Sequence, residues 1–291
     1  MFLIKKTQFI FFISVLMCFT YSLAFGQEGE EAAPPKTLHH SIVAGLSLSQ
    51  VAFQDWAKGG ENSVAWTTTL DGKSTYDPEK INWANTYKFA FGQTKLGSDD
   101  FRKTDDNIDL ESVFTYKTGF YINPYAAATL KTQFLKGYEY DDEGEKTAVS
   151  KFFDPAYLTQ SAGVGYEPIK QVKTRLGAAV REIITGEFNS YSDDPETEDI
   201  EEIRFDAGFE SVTEGEWNLR QNVILKSKLE IFVALTEPRD AAIRSDSTLA
   251  IKVSKNVNVN LNVLIVKDET LSEKTQIKES LAVGFSYIFV E

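Results

Sequence analysis

From residue 41 to the C-terminal end, apolar side chains recur at every second position of the sequence. This spacing places them on one face of a β-strand, whereas one face of a helix recurs every three to four residues. Trp83, Tyr87, Phe89 and Phe91, for example, lie on one face, and mostly polar residues lie on the other. The pattern predicts an all-β fold.

The expected strands are separated by connections of two alternating kinds. Short connections, such as 77–80 and 213–215, alternate with long polar ones, such as 135–156 and 185–200. An even number of strands with this alternation is typical of outer-membrane β-barrels, in which the short turns lie on the periplasmic side. We expect twelve strands, at 41–52, 63–76, 81–94, 104–117, 120–134, 157–167, 171–184, 201–212, 216–232, 246–254, 256–266 and 276–290.

The predicted fold class is therefore all-β, with a single antiparallel transmembrane up-and-down β-barrel of about 12 strands over residues 41–291. Hydrocarbon offers no hydrogen-bond partner to the backbone, so a sheet can cross a membrane only when it is closed and leaves no unpaired edge. Apolar side chains such as Phe89, Phe205 and Leu225 then face lipid. A water-soluble β-barrel or sandwich is the alternative, and it would bury these side chains at its centre.

The first residues have the composition of a secretory signal peptide, which we assign to residues 1–26. Lys5 and Lys6 precede a nearly continuous apolar run at 9–19, and small residues follow it. Residues 27–40 are acidic and contain proline without any periodicity, so we expect them to form a disordered leader. The expected location is the outer membrane of a Gram-negative bacterium, with both termini on the periplasmic side.

The composition excludes several classes of protein. The sequence contains 30 Lys and Arg against 43 Asp and Glu, and its net charge of −13 argues against sequence-independent binding to nucleic acid, which needs cations to neutralise phosphates. A single cysteine excludes disulfide scaffolds and cysteine-ligated metal centres. We expect no cofactor, no metal site and no enzymatic activity.

The last expected strand and two acidic loops indicate the partners. Residues 284–289 (GFSYIF) resemble the C-terminal strand pattern by which the outer-membrane insertion machinery recognises barrel proteins, although Val290 and Glu291 follow the final aromatic residue. The expected partners are this machinery during biogenesis and, afterwards, outer-membrane lipid and lipopolysaccharide. Acidic stretches at 141–145 and 193–202 could bind divalent cations that bridge lipopolysaccharide, because Ca²⁺ takes carboxylate oxygens.

Charged side chains lie on the polar face of several expected strands, and we assign them to the lumen. On the lipid face, each Lys or Arg near the midplane would cost about 2 to 4 kcal/mol, so the inner face is strongly preferred. If these charges pair across the bore they plug it, and the barrel is a structural or binding protein. If they stay separate, the bore is a narrow, polar and weakly anion-attracting pore. The candidate lumen-lining residues are Asp109, Glu111, Lys173, Arg175, Arg181, Arg204, Asp206, Glu210, Arg220, Lys226, Lys228 and Glu230.

A short motif in the first external loop comprises Trp56, Gly59, Gly60 and Asn62. Adjacent glycines permit a tight reversal of the chain, and tryptophan is typical of the interface between membrane and water. We interpret the motif as a turn with a membrane anchor. A ligand-binding loop is the alternative.

The two histidines of the sequence, His39 and His40, lie at the start of the first expected strand. His39 and Ser41 share a face, which is loosely similar to the His-x-Ser spacing of outer-membrane phospholipases. Such a hydrolase needs the imidazole to accept the serine proton and a third group to orient the ring. The sequence identifies no third group, so we interpret both histidines as solvated and expect no catalytic residues.

Three blocks of sequence carry a resemblance to a known family. They are WAKGGENS at 56–63, FRKTDDNIDLES at 101–112 and LKTQFLKGYEY at 130–140. In these blocks the chain resembles a family of uncharacterised outer-membrane barrels from Bacteroidota, which is classified as a domain of unknown function. The resemblance extends over about 42–290 and implies fold and location, because the family has no established activity or catalytic residues to transfer.

These features together predict a barrel without enzymatic activity, most simply a small porin-like or passive transport channel for small polar solutes. A non-conducting structural or interaction barrel, whose acidic external loops meet partners, is the first alternative. An outer-membrane lipid hydrolase is a weaker third. The sequence specifies neither the cargo nor the oligomeric state.

Overall fold

The computed structural model describes residues 37–53, 60–141, 144–194, 197–270 and 272–290. Within these residues, twelve antiparallel strands form one closed up-and-down barrel, so the predicted fold class is confirmed. No helix among the described residues is long and apolar enough to span a membrane. The predicted signal peptide and most of the predicted leader lie outside the described residues.

The strand bounds follow the apolar alternation of the sequence closely. The first strand begins a few residues earlier than expected, so the end of the predicted leader is part of the sheet. The twelve barrel strands are β1 (Leu38–Val51), β2 (Ser63–Tyr76), β3 (Ile81–Leu96), β4 (Arg102–Tyr116), β5 (Ile122–Thr132), β8 (Ala156–Ile169), β9 (Val172–Ile184), β10 (Ile203–Arg220), β11 (Val223–Ala234), β12 (Ala242–Lys252), β13 (Val257–Asp268) and β14 (Ser272–Val290). The other two strands, β6 (Gly137–Tyr140) and β7 (Lys146–Ser150), form a separate hairpin.

One predicted turn is wrong. Residues 213–215 were expected to connect two strands, but they lie within β10, and the turn falls at 221–222. Thr-Glu-Gly has the composition of a turn, yet Gly215 instead makes room for an aromatic ring. A Cβ atom at Gly215 would lie 2.2 Å from Cη2 of Trp217.

The predicted long connection at 135–156 contains the β6–β7 hairpin, which the sequence analysis did not identify. The chain that leaves β5 folds against the outer wall of the barrel. Backbone N–H groups of Phe134 and Leu135 donate to the Asp106 carboxylate at 2.7 and 2.9 Å, and the Phe134 ring packs on Phe89 at 6.0 Å. These contacts hold the start of the long loop that follows β5 against the barrel.

The apolar face of the sheet points outward. Phe205 is 55% exposed, whereas the side chains of Glu111 and Arg175 are only 6% and 10% exposed. Arg175 on β9 and Glu111 on β4 form an ion pair although these strands are not neighbours in the barrel, so the contact must cross the interior. This arrangement is the reverse of the one that a water-soluble barrel requires.

Candidate functional site

Five charged side chains from four strands meet inside the barrel, and we call them the central ion-pair layer: Glu111, Lys131, Arg175, Lys228 and Glu230. Glu111 accepts hydrogen bonds from Arg175 and, at 2.8 Å, from Lys228. Glu230 accepts a hydrogen bond from Lys131 and lies 3.2 Å from the Lys228 ammonium. Because β4 and β11 are five strands apart around the barrel, the layer ties opposite walls together.

Each charge of this layer is compensated. A charge buried without a partner is strongly unfavourable, and charge-assisted hydrogen bonds are the interactions that offset desolvation. The layer therefore places paired charges across the bore, between β4, β5, β9 and β11. This is the pairing across the bore that the first of the two sequence-based hypotheses described.

A second group of charges lies nearer the long loops. Arg181 donates to Asp206 at 3.1 Å and to Asp268 at 2.7 Å, and its guanidinium lies 4.7 Å from the centre of the Phe232 ring. Arg204 donates to the same Asp206 carboxylate at 3.0 Å. Four strands apart in the barrel, β9 and β13 are thus joined through Arg181.

Three further predicted residues lie at the opposite, short-turn end of the barrel. Lys226 lies 3.4 Å from Glu216 and Lys173 lies 3.8 Å from Glu167, and all four side chains are about half exposed or more. Arg220, at the end of β10, is exposed and makes no ion pair with any residue that the structure describes. Such exposed charges contribute little to stability.

The last two predicted lumen residues have different surroundings. Asp109 on β4 lies in register between Lys88 and Lys131 of the neighbouring strands. Glu210 on β10 is buried, and it makes neither a hydrogen bond nor an ion pair with the residues that the structure describes.

Several charged residues that contact the predicted ones were missed by the sequence analysis. Lys131 lies within an expected strand and shares a face with other polar residues. The alternation of polar and apolar side chains in that strand could therefore have identified it as a lumen residue. Arg244 and Asp268 were expected in loops, but the strands β12 and β13 extend far enough to include them. Lys88 and Asp246 approach to 3.8 Å across the bore from β3 and β12, a pairing that depends on how the barrel closes.

The inner faces of β1, β2, β13 and β14 carry mainly small polar side chains, although Asp71 on β2, Asp268 on β13 and Lys278 on β14 also face the bore. Some of these side chains lie flat over glycines of the neighbouring strand: a Cβ atom at Gly45 would lie 2.5 Å from the Thr69 hydroxyl, and one at Gly284 would lie 2.5 Å from the Ser47 hydroxyl. We call this surface the small polar wall, and it comprises Ser47, Thr67, Thr69, Asn258, Asn260, Asn262 and Ser286.

The predicted loop motif lies partly outside the described residues, which include neither Trp56 nor Gly59. Asn62 closes this loop, because its side-chain oxygen accepts a hydrogen bond of 2.6 Å from the backbone N–H of Phe53. Gly60 has a positive φ of 132°, and a Cβ atom there would lie 2.7 Å from the Phe53 ring. For the described half of the motif, a turn is the arrangement observed.

The histidines do not form the His39–Ser41 pair of a hydrolase. Among the described residues, His39 makes no hydrogen bond. His40 instead lies 2.8 Å from the hydroxyl of Ser74, on the neighbouring strand, and this hydroxyl also contacts Tyr87. Ser74 is 2% exposed, so a substrate does not reach its hydroxyl in this arrangement.

Two long loops, 133–155 and 185–202, are joined by a buried carboxylate. Asp154 accepts hydrogen bonds from the backbone N–H groups of Gly186, Glu187 and Phe188 at 3.1, 2.7 and 3.4 Å. In the part of the chain that the structure describes, no three His, Cys, Asp or Glu side chains come together in a way that could hold a metal ion. Cation binding by the acidic loops stays a prediction.

The comparisons with known sequences give one family. The profile of a family described as proteins of unknown function (DUF3078) matches residues 48–138, which include β2 to β5. This agrees with the resemblance to a domain of unknown function, although the match is shorter than the 42–290 that the resemblance implied. A comparison with curated protein sequences gives no match.

The comparison with solved structures gives matches of low sequence identity, each with a TM-score below 0.5. The chain is similar to the translocator domain of the autotransporter NalP from Neisseria meningitidis (11% identity, 97% of this chain and 96% of that chain, TM-score 0.37). It is also similar to an outer membrane channel from Pseudomonas putida F1 (12% identity, 91% of this chain and 100% of that one, TM-score 0.42). A third is the CymD monoaromatic hydrocarbon channel (10% identity, 88% and 89%, TM-score 0.35). At these identities the similarity concerns the fold alone.

Proposed function

We propose that this chain is a narrow outer-membrane channel for small polar solutes, with a path that runs along the small polar wall beside the central ion-pair layer. The observation that carries the proposal is the division of the inner surface. Large charged side chains are paired between β4, β5, β9 and β11, and small polar side chains predominate on β1, β2, β13 and β14, where Asp71, Asp268 and Lys278 are the charged exceptions.

The exposure of individual side chains supports a path on the second side. The Lys88 side chain, which faces the bore from β3, is 50% exposed, whereas Glu111 in the layer is 6% exposed. Water therefore reaches the bore beside the layer. Because the charges of the layer are largely paired with one another, they offer little net charge to a passing ion. We expect uncharged and zwitterionic polar solutes to pass more readily than ions of either sign.

A non-conducting barrel is the second candidate, and two contacts favour it. Lys88 and Asp246 approach to 3.8 Å between the layer and the small polar wall, and Lys278 on β14 lies 2.7 Å from Asp105 on β4. If these pairs and their neighbours fill the remaining space, the barrel binds partners or stabilises the membrane without passing solutes.

Single-channel recording in planar bilayers tests the proposal. We expect the refolded full chain to give small, discrete conductance steps. Asn260→Trp places a large ring on the small polar wall and should lower the step size several-fold, because the path is narrow there. Leu261→Trp is the matched control, since the adjacent side chain points to the outer face and should leave the steps unchanged.

Two outcomes would contradict the channel. Silence of the wild-type protein at every voltage would favour the non-conducting barrel. Equal steps from Asn260→Trp and the wild-type protein would show that the path does not follow the small polar wall.

A further inference from the structure

A cavity of about 250 Å³ lies in the bore on the side of the long loops, between the central ion-pair layer and Pro155 of the external loop. Polar and aromatic side chains converge on it. They include Lys131, Arg181, Glu210, Phe232, Arg244 and Asp268. A concave site with a few converging polar groups is typical of small-molecule binding.

Glu210 is the unusual member of this set. It is 7% exposed, yet it makes no hydrogen bond or ion pair with any residue that the structure describes. Arg175 interacts with it electrostatically, but the Arg175 guanidinium donates its hydrogen bond to Glu111. A buried carboxylate normally has a partner, because desolvating an unpaired charge is costly.

The sequence around Glu210 explains why the wall supplies no partner. Its in-register neighbours are Gly177 on β9 and Phe232 on β11, and neither side chain has a hydrogen-bond donor. The carboxylate is therefore left facing the cavity.

One other group at the cavity has unused binding capacity. Arg244 makes only a loose contact, with its Nε atom 3.7 Å from the Glu230 carboxylate. A carboxylate and a loosely held guanidinium thus line the same partly open space.

We propose that this cavity binds a small solute that carries a protonated amine, with Glu210 as the counter-charge of the ammonium group. Arg244 receives a carboxylate when the solute is a zwitterion. The inference rests on the proposed function, because the solute reaches the cavity through the bore.

Isothermal titration calorimetry of the folded full chain in detergent tests the site, with butylammonium, butanol and butyrate as probes. We expect butylammonium to bind the wild-type protein, and butanol and butyrate to bind at least ten-fold more weakly. Glu210→Gln keeps the shape and removes the charge, so butylammonium should bind this variant at least ten-fold more weakly. The control is Glu216→Gln, a half-exposed carboxylate at the short-turn end, which should bind as the wild-type protein does.

Three results would overturn the proposal: no binding of butylammonium by the wild-type protein, equal binding by Glu210→Gln, or equally tight binding of butyrate. The outcome is independent of the conductance test. A protein that binds butylammonium but never conducts would contradict the channel and leave the amine site standing. A protein that conducts but does not bind butylammonium would contradict the amine site and leave the channel standing.

Discussion

The charged residues of this barrel differ mainly in how much water surrounds them. Glu111 and Lys228 are buried and share hydrogen bonds, whereas Lys226 and Glu216 are half exposed at the short-turn end. Buried charges need their partners, while exposed pairs contribute little. Substituting single residues of the central ion-pair layer therefore has larger consequences than substituting charges at the ends of the bore.

Asp77, in the turn between β2 and β3, gives a test of local electrostatics outside the membrane. Lys117 lies 2.7 Å from its carboxylate, and Asn82 donates to it at 2.6 Å. Burial alone would raise the pKa of Asp77, but these two donors outweigh it and hold the pKa below its ordinary value. Removing the donor in Lys117→Met should therefore return the Asp77 pKa towards that value.

The sign of the resulting pH dependence follows from linkage. Because the pKa of Asp77 is lower in the folded state, its ionisation stabilises the fold above the pKa of the unfolded chain. This stabilisation is lost as the pH falls through the folded pKa. A carbon-13 NMR titration of the Asp77 carboxyl measures the shift. Lys80→Met is the control, and an Asp77 pKa that is unchanged in Lys117→Met would refute the assignment.

At the scale of elements, strands were predicted well where polar and apolar side chains alternate along the sequence. Turns that were predicted from amino-acid composition were predicted poorly. The 213–215 segment contains Gly and Glu and reads as a turn, but Gly215 accommodates the Trp217 ring within β10. The β6–β7 hairpin was missed because its two strands have only four and five residues. So short a stretch contains too few alternations to identify a strand.

The two long loops, 133–155 and 185–202, give a prediction at this scale. Asp154 is nearly fully buried and accepts three backbone hydrogen bonds from the loop that follows β9. Asp154→Ala leaves these N–H groups without their acceptor, which costs about 1 to 3 kcal/mol for each buried group that finds no other partner. We expect the loops to open locally and trypsin to cleave the folded protein faster at Lys151.

Glu187→Ala is the matched control for this experiment. It removes the ion pair with Lys151, 2.7 Å long, and solvent-exposed pairs of this kind contribute little to stability. Trypsin should cleave this variant at nearly the wild-type rate. Equal cleavage of Asp154→Ala and Glu187→Ala would mean that Asp154 does not hold the two loops together.

For the whole molecule, the sequence determined which side chains share a face but not which strands oppose each other. Alternation placed Glu111, Arg175 and Lys228 on the inner face. It could not show that β4 faces β9 and β11, because that depends on how twelve strands close. The cavity beside Glu210 combines residues of several strands, among them β8, β9, β10, β11, β12 and β13. For the same reason, no local stretch of the sequence could have predicted it.

The orientation of the whole barrel can be tested by placing the same charge on each of its faces. Phe209 lies near the middle of β10 and is 54% exposed on the outer surface. Phe209→Arg should lower the free energy of unfolding from lipid vesicles by about 2 to 4 kcal/mol, because an arginine near the midplane must enter hydrocarbon. Asn260→Arg puts the same charge on the small polar wall, where water reaches it, and should cost much less. Urea titration of both variants in vesicles measures the difference. If Asn260→Arg were the more destabilising of the two, the polar face could not line a water-filled bore, and the outward direction of the apolar face would have to be abandoned.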